Sequence, residues 1–173
     1  GAGLDDYWNL MYRSPLSAGG FLWNLADEGV VRRDINDSID VKGNYAPDGI
    51  SGPHHEKEGS FFTIKEIWSP VYITPPVLNE NFNSDIVVEN RYHFTNLGQC
   101  SFSYRLAAFT STQGMDAKRE VKGKITAPDI APGQSGTLHL DLPADWKKYD
   151  VLYLTATDHR GKEIYTWSWN ITT

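Results

Sequence analysis

Cysteine is nearly absent. Cys100 is the only one among 173 residues. That excludes an intrachain disulfide and any cysteine-rich zinc site. A lone thiol fits either redox environment, so the compartment stays open between cytoplasm and periplasm. Long apolar runs are missing too. None reaches the ~18–20 residues of a membrane-spanning helix, and no membrane partner is expected. Basic charge is in short supply: 16 Lys and Arg stand against 22 Asp and Glu, for a net charge of −6. Nucleic-acid affinity depends on cations neutralising phosphates, so no nucleic-acid partner is expected either. No G-x-S-x-G turn presents a nucleophilic serine. The opening Gly1-Ala2-Gly3-Leu4 has neither a signal-peptide pattern nor an initiator Met, and the natural chain is expected to extend upstream.

What remains is a folding composition. Apolar residues make up 40% and aromatics 13% of the chain, enough to build a core. Two textures meet near Pro70. Residues 1–69 mix glycines, charges and aromatics without a sustained period. Residues 70–173 carry short alternating runs separated by turn signals.

In the first part, Leu4, Tyr7, Trp8 and Met11 are spaced as one helix face over Leu4–Arg13, with Asp5 and Asp6 placed to favour the N-terminal dipole. Phe21–Leu25 reads as a short strand buried on both faces. Residues 26–57 are a long irregular stretch of the kind that is functional or hides an element. Ser60–Trp68 reads as a helix stopped by Ser69-Pro70.

In the second part, Ile86, Val88, Tyr92 and Phe94 alternate with polar neighbours. So do Phe102–Ala108, Leu138–Leu142, Leu152–Ala156 and Tyr165–Ile171. Period two with one apolar face means half-buried antiparallel strands. Weaker strands are expected over Arg119–Thr126 and Val71–Thr74. Asn96-Leu97-Gly98, Ala131-Pro132-Gly133-Gln134 and Asp158–Gly161 supply the turns. About seven such strands predict an immunoglobulin-like antiparallel β-sandwich, without the antibody disulfide. The fold class is mainly β.

Candidate chemistry lies in the first part. His54-His55-Glu56-Lys57-Glu58 has ligand-type residues, but sequence neighbours point apart and Lys57 opposes a cation, so a solvated loop is the stronger reading. The carboxylates Asp27, Glu28, Asp34, Asp37, Asp40, Asp48, Glu56 and Glu58 crowd the irregular stretch. A glycosidase needs two of them roughly 5–10 Å apart across a sugar, and spacing in sequence does not establish that. Cys100 reads as a small residue at a strand end. Trp23, Tyr45, Trp68, Trp146, Trp167 and Trp169 are candidate sugar-stacking rings, with Trp167 and Trp169 placed by alternation in the core. Trp23 sits where a short strand enters a long loop, the end that faces the active site in a parallel barrel.

The run Gly19-Gly20-Phe21-Leu22-Trp23-Asn24-Leu25-Ala26-Asp27-Glu28-Gly29 resembles the last barrel strand of family-two glycoside hydrolases, the beta-galactosidase group. There the pattern is Gly-Gly-Phe-hydrophobic-Trp-Asp-x-x-Asp-Gln/Glu-Gly. Tyr45-Ala46-Pro47-Asp48-Gly49-Ile50 is similar to the following loop, where members have Asn-Gly-Leu. Residues 58–71 resemble the final barrel helix and exit. Val88-Glu89-Asn90-Arg91-Tyr92-His93-Phe94-Thr95-Asn96-Leu97 and Ile130-Ala131-Pro132-Gly133 resemble the Ig-like domain that follows the barrel.

The resemblance implies that residues 1–69 are an α/β remnant of a TIM barrel and 70–173 the sandwich. It implies that both catalytic Glu residues precede Gly1, so that this chain has no catalytic residue and is inactive alone. Trp23 matches a tryptophan of the sugar subsite. Asp48 falls where relatives place an Asn near a cation. No cofactor is implied in the chain itself, and a monovalent or divalent cation is implied in the parent. The implied partners are a β-linked carbohydrate and the rest of the barrel. Asn24 and Asp48 depart from the family's Asp and Asn. The alternatives are an independent Ig-like carbohydrate-binding or adhesion module, and a structural domain with no ligand.

Overall fold

The computed structural model of the protein describes residues 3–42, 45, 47–109 and 117–172. Gly1, Ala2 and Ala46, named above, lie outside the described residues. The chain divides into two compact units, Gly1–Trp68 and Ser69–Thr173.

The first unit begins with α1, Leu4–Arg13, whose first turn holds Asp5 and Asp6 and whose last holds Arg13. The Ser14 N–H closes its end on the Leu10 and Met11 carbonyls. A hairpin that the sequence pattern does not announce follows: β1, Val30–Arg32, pairs antiparallel with β2, Ser38–Asp40, across a 3₁₀ turn at Arg33–Ile35. Asn36 and Asp37 both take left-handed backbone there, a conformation that Asn and Asp tolerate. Arg32 clasps two carboxylates at once, donating to Asp34 at 2.7 and 2.5 Å and to Asp40 at 2.8 Å. The unit closes with α2, Gly59–Ile67, capped by Trp68. Trp8 of α1 meets Trp68 with ring centroids 5.6 Å apart.

The expected strand at Phe21–Leu25 does not form. Phe21 is fully exposed, and Trp23 and Leu25 are mostly so. A strand buried on both faces needs paired neighbours and covering layers. Among the described residues of this unit the segment has one backbone partner, residues 48–51, and the pairing ends in a single bridge, Ala26 to Ser51, in place of a strand.

The second unit contains two antiparallel sheets. One is three-stranded, ordered β3 (Val71–Ile73), β4 (Asp85–Asn90), β7 (Ser135–His139). The other is four-stranded, ordered β6 (Ala117–Ile125), β5 (Ser101–Phe109), β8 (Val151–Thr157), β9 (Glu163–Asn170). Alternate residues of each strand face one shared core. Ile86, Val88 and Leu138 come from the first sheet, and Phe102, Leu106, Leu152, Leu154 and Trp167 from the second. Trp146 joins this core edge-on to Phe82, 5.8 Å between centroids, so it is no sugar platform. Tyr104 is buried beside Gly123, its registered partner on β6, and its hydroxyl donates to the Asp141 carbonyl at 2.6 Å. A Cβ at Gly123 would run into that ring, which is why glycine interrupts β6 here.

The alternation at Tyr92 and Phe94 predicts a longer β4 than is found. The strand stops at Asn90 because the side chain of Asn90 turns the chain. Its Oδ1 accepts the Tyr92 N–H at 3.0 Å, and its Nδ2 donates to the Thr95 and Ile130 carbonyls at 2.9 and 2.8 Å. Such local side-chain bonds offer the backbone an alternative to the ladder. Phe94 is left exposed. The Pro132-Gly133 turn forms as expected, with Gly133 at φ 73° and the Gln134 N–H on the Ala131 carbonyl.

On the outer face of the three-stranded sheet, His139 Nδ1 lies 2.7 Å from Asp85 Oδ1, its registered partner across β4–β7, and Nε2 lies 3.8 Å from Asp141. The hydrogen bond to Asp85 raises the imidazole pKa, with the charges of Asp85 and Asp141 adding to it. The folded pKa exceeds the unfolded one. The pair therefore stabilises the fold fully below the unfolded value of about 6.5, and the contribution is lost as pH rises through the folded pKa. The expected result is that the Tm difference between the natural chain and His139→Gln is greatest near pH 5 and vanishes at alkaline pH. A difference that grows with pH would contradict this assignment.

Candidate functional site

The first unit contains a cleft of about 170 Å³. Trp23, Asp48, Gly49 and Ile50 line it with Leu4 of α1 and Ile64 of α2. Two residues 25 apart in sequence, Trp23 and Asp48, thus border one space.

A short parallel arrangement of backbone bonds brings them together. The Asn24 N–H donates to the Asp48 carbonyl at 3.3 Å, and the Ile50 N–H returns to the Asn24 carbonyl at 2.9 Å. Ser51 N–H donates to Leu25 at 3.0 Å, and Asp27 N–H to Ser51 at 2.9 Å. Two side chains reinforce the join. The Ser51 hydroxyl donates to the Leu25 carbonyl at 2.8 Å, and the Asp27 carboxylate accepts the Gly49 N–H at 2.7 Å. The Trp23–Asn24 peptide is cis. Asn24 Nδ2 reaches Glu28 at 3.4 Å, while its Oδ1 is buried with no partner among the described residues.

Gly49 is the residue that sequence reading passed over. A Cβ there would fall on the Asp27 nitrogen, the Ala26 carbonyl carbon and the Ser51 oxygen, all backbone atoms. The available signal was the Asp48-Gly49 pair, a turn dipeptide that also marks close backbone approach.

The chemistry open to this cleft is that of a wall. Trp23 is 76% exposed, presenting an indole face with an apolar floor of Ile50 and Ile64 beside it. Indole faces stack on the apolar faces of sugar rings, and the Asp48 carboxylate can accept hydroxyl hydrogen bonds. Tyr45 is also exposed, with Lys42 Nζ 5.5 Å from its ring centroid. Trp68 packs on Trp8, and Trp167 is core, so neither joins the wall. Trp169 packs against the sandwich core, partly buried.

The other carboxylates are spread out and largely engaged. Asp34 and Asp40 serve Arg32, whose hydrogen bond holds the Asp34 carboxyl below its usual pKa, opposite to what a general acid requires. Glu56 accepts the His54 N–H at 2.7 Å and packs where a side chain on Gly52 would stand. His54 and His55 are exposed. Among the described residues, no three His, Cys, Asp or Glu side chains come together as cation ligands. Asp48 by itself does not make a cation site. Cys100 is buried at the start of β5, and burial pushes its thiol pKa up, away from nucleophilic reactivity.

Residues 86–167 match the family model for beta-galactosidase, domain 4. The beta-galactosidase of Actinobacillus pleuropneumoniae is 24% identical over 167 residues, covering 90% of this chain and 16% of that protein. The beta-galactosidase of Arthrobacter sp. (strain B7) is 23% identical over 162 residues, covering 82% of this chain and again 16% of the relative. The chain therefore spans about one sixth of the length of these curated relatives. Among solved structures, the exo-chitosanase CsxA of Amycolatopsis orientalis in complex with PNP-beta-D-glucosamine aligns at 17% identity and a TM-score of 0.42, over 73% of this chain and 14% of that one. The second unit is thus similar to domain 4 of beta-galactosidases, and the chain as a whole is similar to a short part of two beta-galactosidases.

Proposed function

We propose that this chain is the part of a retaining β-glycosidase, of beta-galactosidase type, that supplies one wall of the sugar site and the sandwich domain that follows in sequence. The observation that carries the reading is the shared cleft of Trp23 and Asp48, in a chain whose second unit matches the fourth domain of that group. Residues 1–69 are the end of the catalytic barrel, and residues 70–173 the Ig-like domain. The rest of the barrel is the partner of the first unit, which fits the exposure of Phe21, Leu25, Val30 and Val31.

In such a reaction one carboxylic acid protonates the leaving oxygen while a second carboxylate attacks the anomeric carbon, and water then releases the glycosyl-enzyme. Neither role is assigned to a residue of this chain. Trp23 stacks on the apolar face of the sugar, and Asp48 borders the same space. A cation at Asp48 requires further ligands from the remainder of the polypeptide.

The test pairs two assays. The purified chain is expected to give no hydrolysis of an aryl β-galactoside. The full-length product of the encoding gene is expected to hydrolyse it with retention, read from the anomer first formed by NMR. Turnover by the chain alone would overturn the claim that it is inactive. A full-length product inert on aryl β-glycosides, with a chain that still binds oligosaccharide, would instead establish an independent carbohydrate-binding module.

A further inference from the structure

We infer that Asp27 is a positioning residue for the cleft: it holds Asp48 opposite Trp23 through the backbone of Gly49. The inference rests on reading Trp23 and Asp48 as walls of one subsite, and it deepens that reading by naming what sets their separation.

Asp27 does not line the cleft. Its carboxylate accepts the Gly49 N–H at 2.7 Å across 22 residues of sequence, in a partly buried setting. Gly49 is the residue directly after Asp48. The turn it belongs to presses on the backbone of Ala26 and Asp27 so closely that no side chain fits between. The backbone bonds at Asn24, Ile50 and Ser51 fix the register of the two segments. They leave the Gly49 N–H to be satisfied, and Asp27 is the group that satisfies it. A charge-assisted bond of this kind is about twice as strong as one between neutral groups. With it, the Asp48–Gly49 peptide has one orientation. Without it, that peptide keeps only the 3.3 Å bond from the Asn24 N–H to the Asp48 carbonyl, and Asp48 is held less firmly relative to the indole.

The bond can be observed without any substitution. In the ¹⁵N,¹³C-labelled chain, a scalar coupling across the hydrogen bond should connect the Gly49 amide nitrogen to the Asp27 side-chain carboxyl carbon. Its absence under conditions that show other side-chain couplings would overturn the inference.

The positioning role is tested by Asp27→Ala and Asp27→Asn in the chain labelled with 5-fluorotryptophan, with the Trp23 signal identified by Trp23→Phe. Asp27→Ala is expected to lower amide-exchange protection at Gly49 tenfold or more and to displace the Trp23 fluorine resonance. Asp27→Asn keeps a carbonyl oxygen in place and is expected to retain both signals. Equal loss in the Asn variant, or an unmoved Trp23 resonance in a folded Ala variant, would overturn the positioning role. None of these readouts uses a sugar or an assay of hydrolysis. Failure of the glycosidase reading therefore leaves them intact, and their failure leaves that reading intact.

Discussion

Replacing Asn90 by Ala is expected to cost the sandwich about 3 kcal/mol, since it removes hydrogen bonds from three backbone groups in a buried or partly buried setting. The side chain is fully buried and uses both ends. Its loss removes these bonds to the Thr95 carbonyl and the Tyr92 N–H, and one of two bonds to the Ile130 carbonyl, which keeps the Leu97 N–H. The main chain of Asn90 is tied at the same place, donating to Gln134 and accepting from Gly133, each at 2.8–2.9 Å. Two segments that are far apart in sequence, residues 90–95 and 130–134, therefore meet at one residue. A domain of this size holds a total stability of about 5–15 kcal/mol, so Tm should fall by on the order of 15 °C. Asn96 provides the comparison. It caps a 3₁₀ turn by accepting the Gly98 N–H at 2.7 Å and donates to Asp129 in a more open setting. Its replacement by Ala should cost only about 1 kcal/mol, the usual value of a cap. Thermal denaturation of both variants decides the point. If Asn90→Ala is no more harmful than Asn96→Ala, the turn is held by the backbone and not by this side chain.

Gly49→Ala is the second substitution expected to have a large effect, of about 3 kcal/mol or more. The added methyl would overlap backbone atoms of Ala26, Asp27 and Ser51, which cannot rotate away as a side chain would. The first unit has little stability to draw on. Among its described residues only Ser51 and Gly52 are buried, and the buried apolar residues all lie from Val71 onward. Regions with so few buried contacts open locally at low free-energy cost. The variant should lose exchange protection at Ile50, Ser51 and Asp27, the amides that join the two segments, and the cleft with them. Protection within twofold of the natural chain would mean that the segments are held apart from this contact. The same change at Gly133, where a Cβ meets nothing within 4 Å but φ is 73°, tests backbone strain alone and should cost only about 1 kcal/mol.

The family-marking run from Val88 to Leu97 shows how a motif can be recognised before its reason is visible. In the structure four of its members have a mechanical part. Asn90 turns the chain, Arg91 is buried over the Tyr72 ring at 3.9 Å, Asn96 caps, and Leu97 is fully buried. The run marks how the sandwich is built, and a ligand is not needed to explain it. Trp23 and Asp48 are the opposite case. They are exposed, and packing gives no reason for them, whereas the proposed sugar site would.

Much of the sandwich could be read without coordinates. Strands with one buried face must alternate, so Phe102–Ala108 and Leu152–Ala156 carry their own assignment, and Pro132-Gly133 announces its turn through φ alone. Both helices were equally legible, because Leu4, Trp8 and Met11 on one side and Phe61 and Ile64 on the other repeat at the period of a helix. Local signals of this kind depend only on near neighbours in the chain. Other features depend on partners far away in sequence. Phe21–Leu25 has the composition of a buried strand, yet a strand exists only where another backbone pairs with it, and among the described residues only 48–51 do. Tyr92 and Phe94 keep the alternation, but the reach of Asn90 to Ile130 ends the ladder first. Composition made Trp23 and Asp48 candidates, and the resemblance gave them roles. Their meeting in one cleft required the Asp27–Gly49 bond and the close backbone approach beside it, contacts between residues that no sequence period connects.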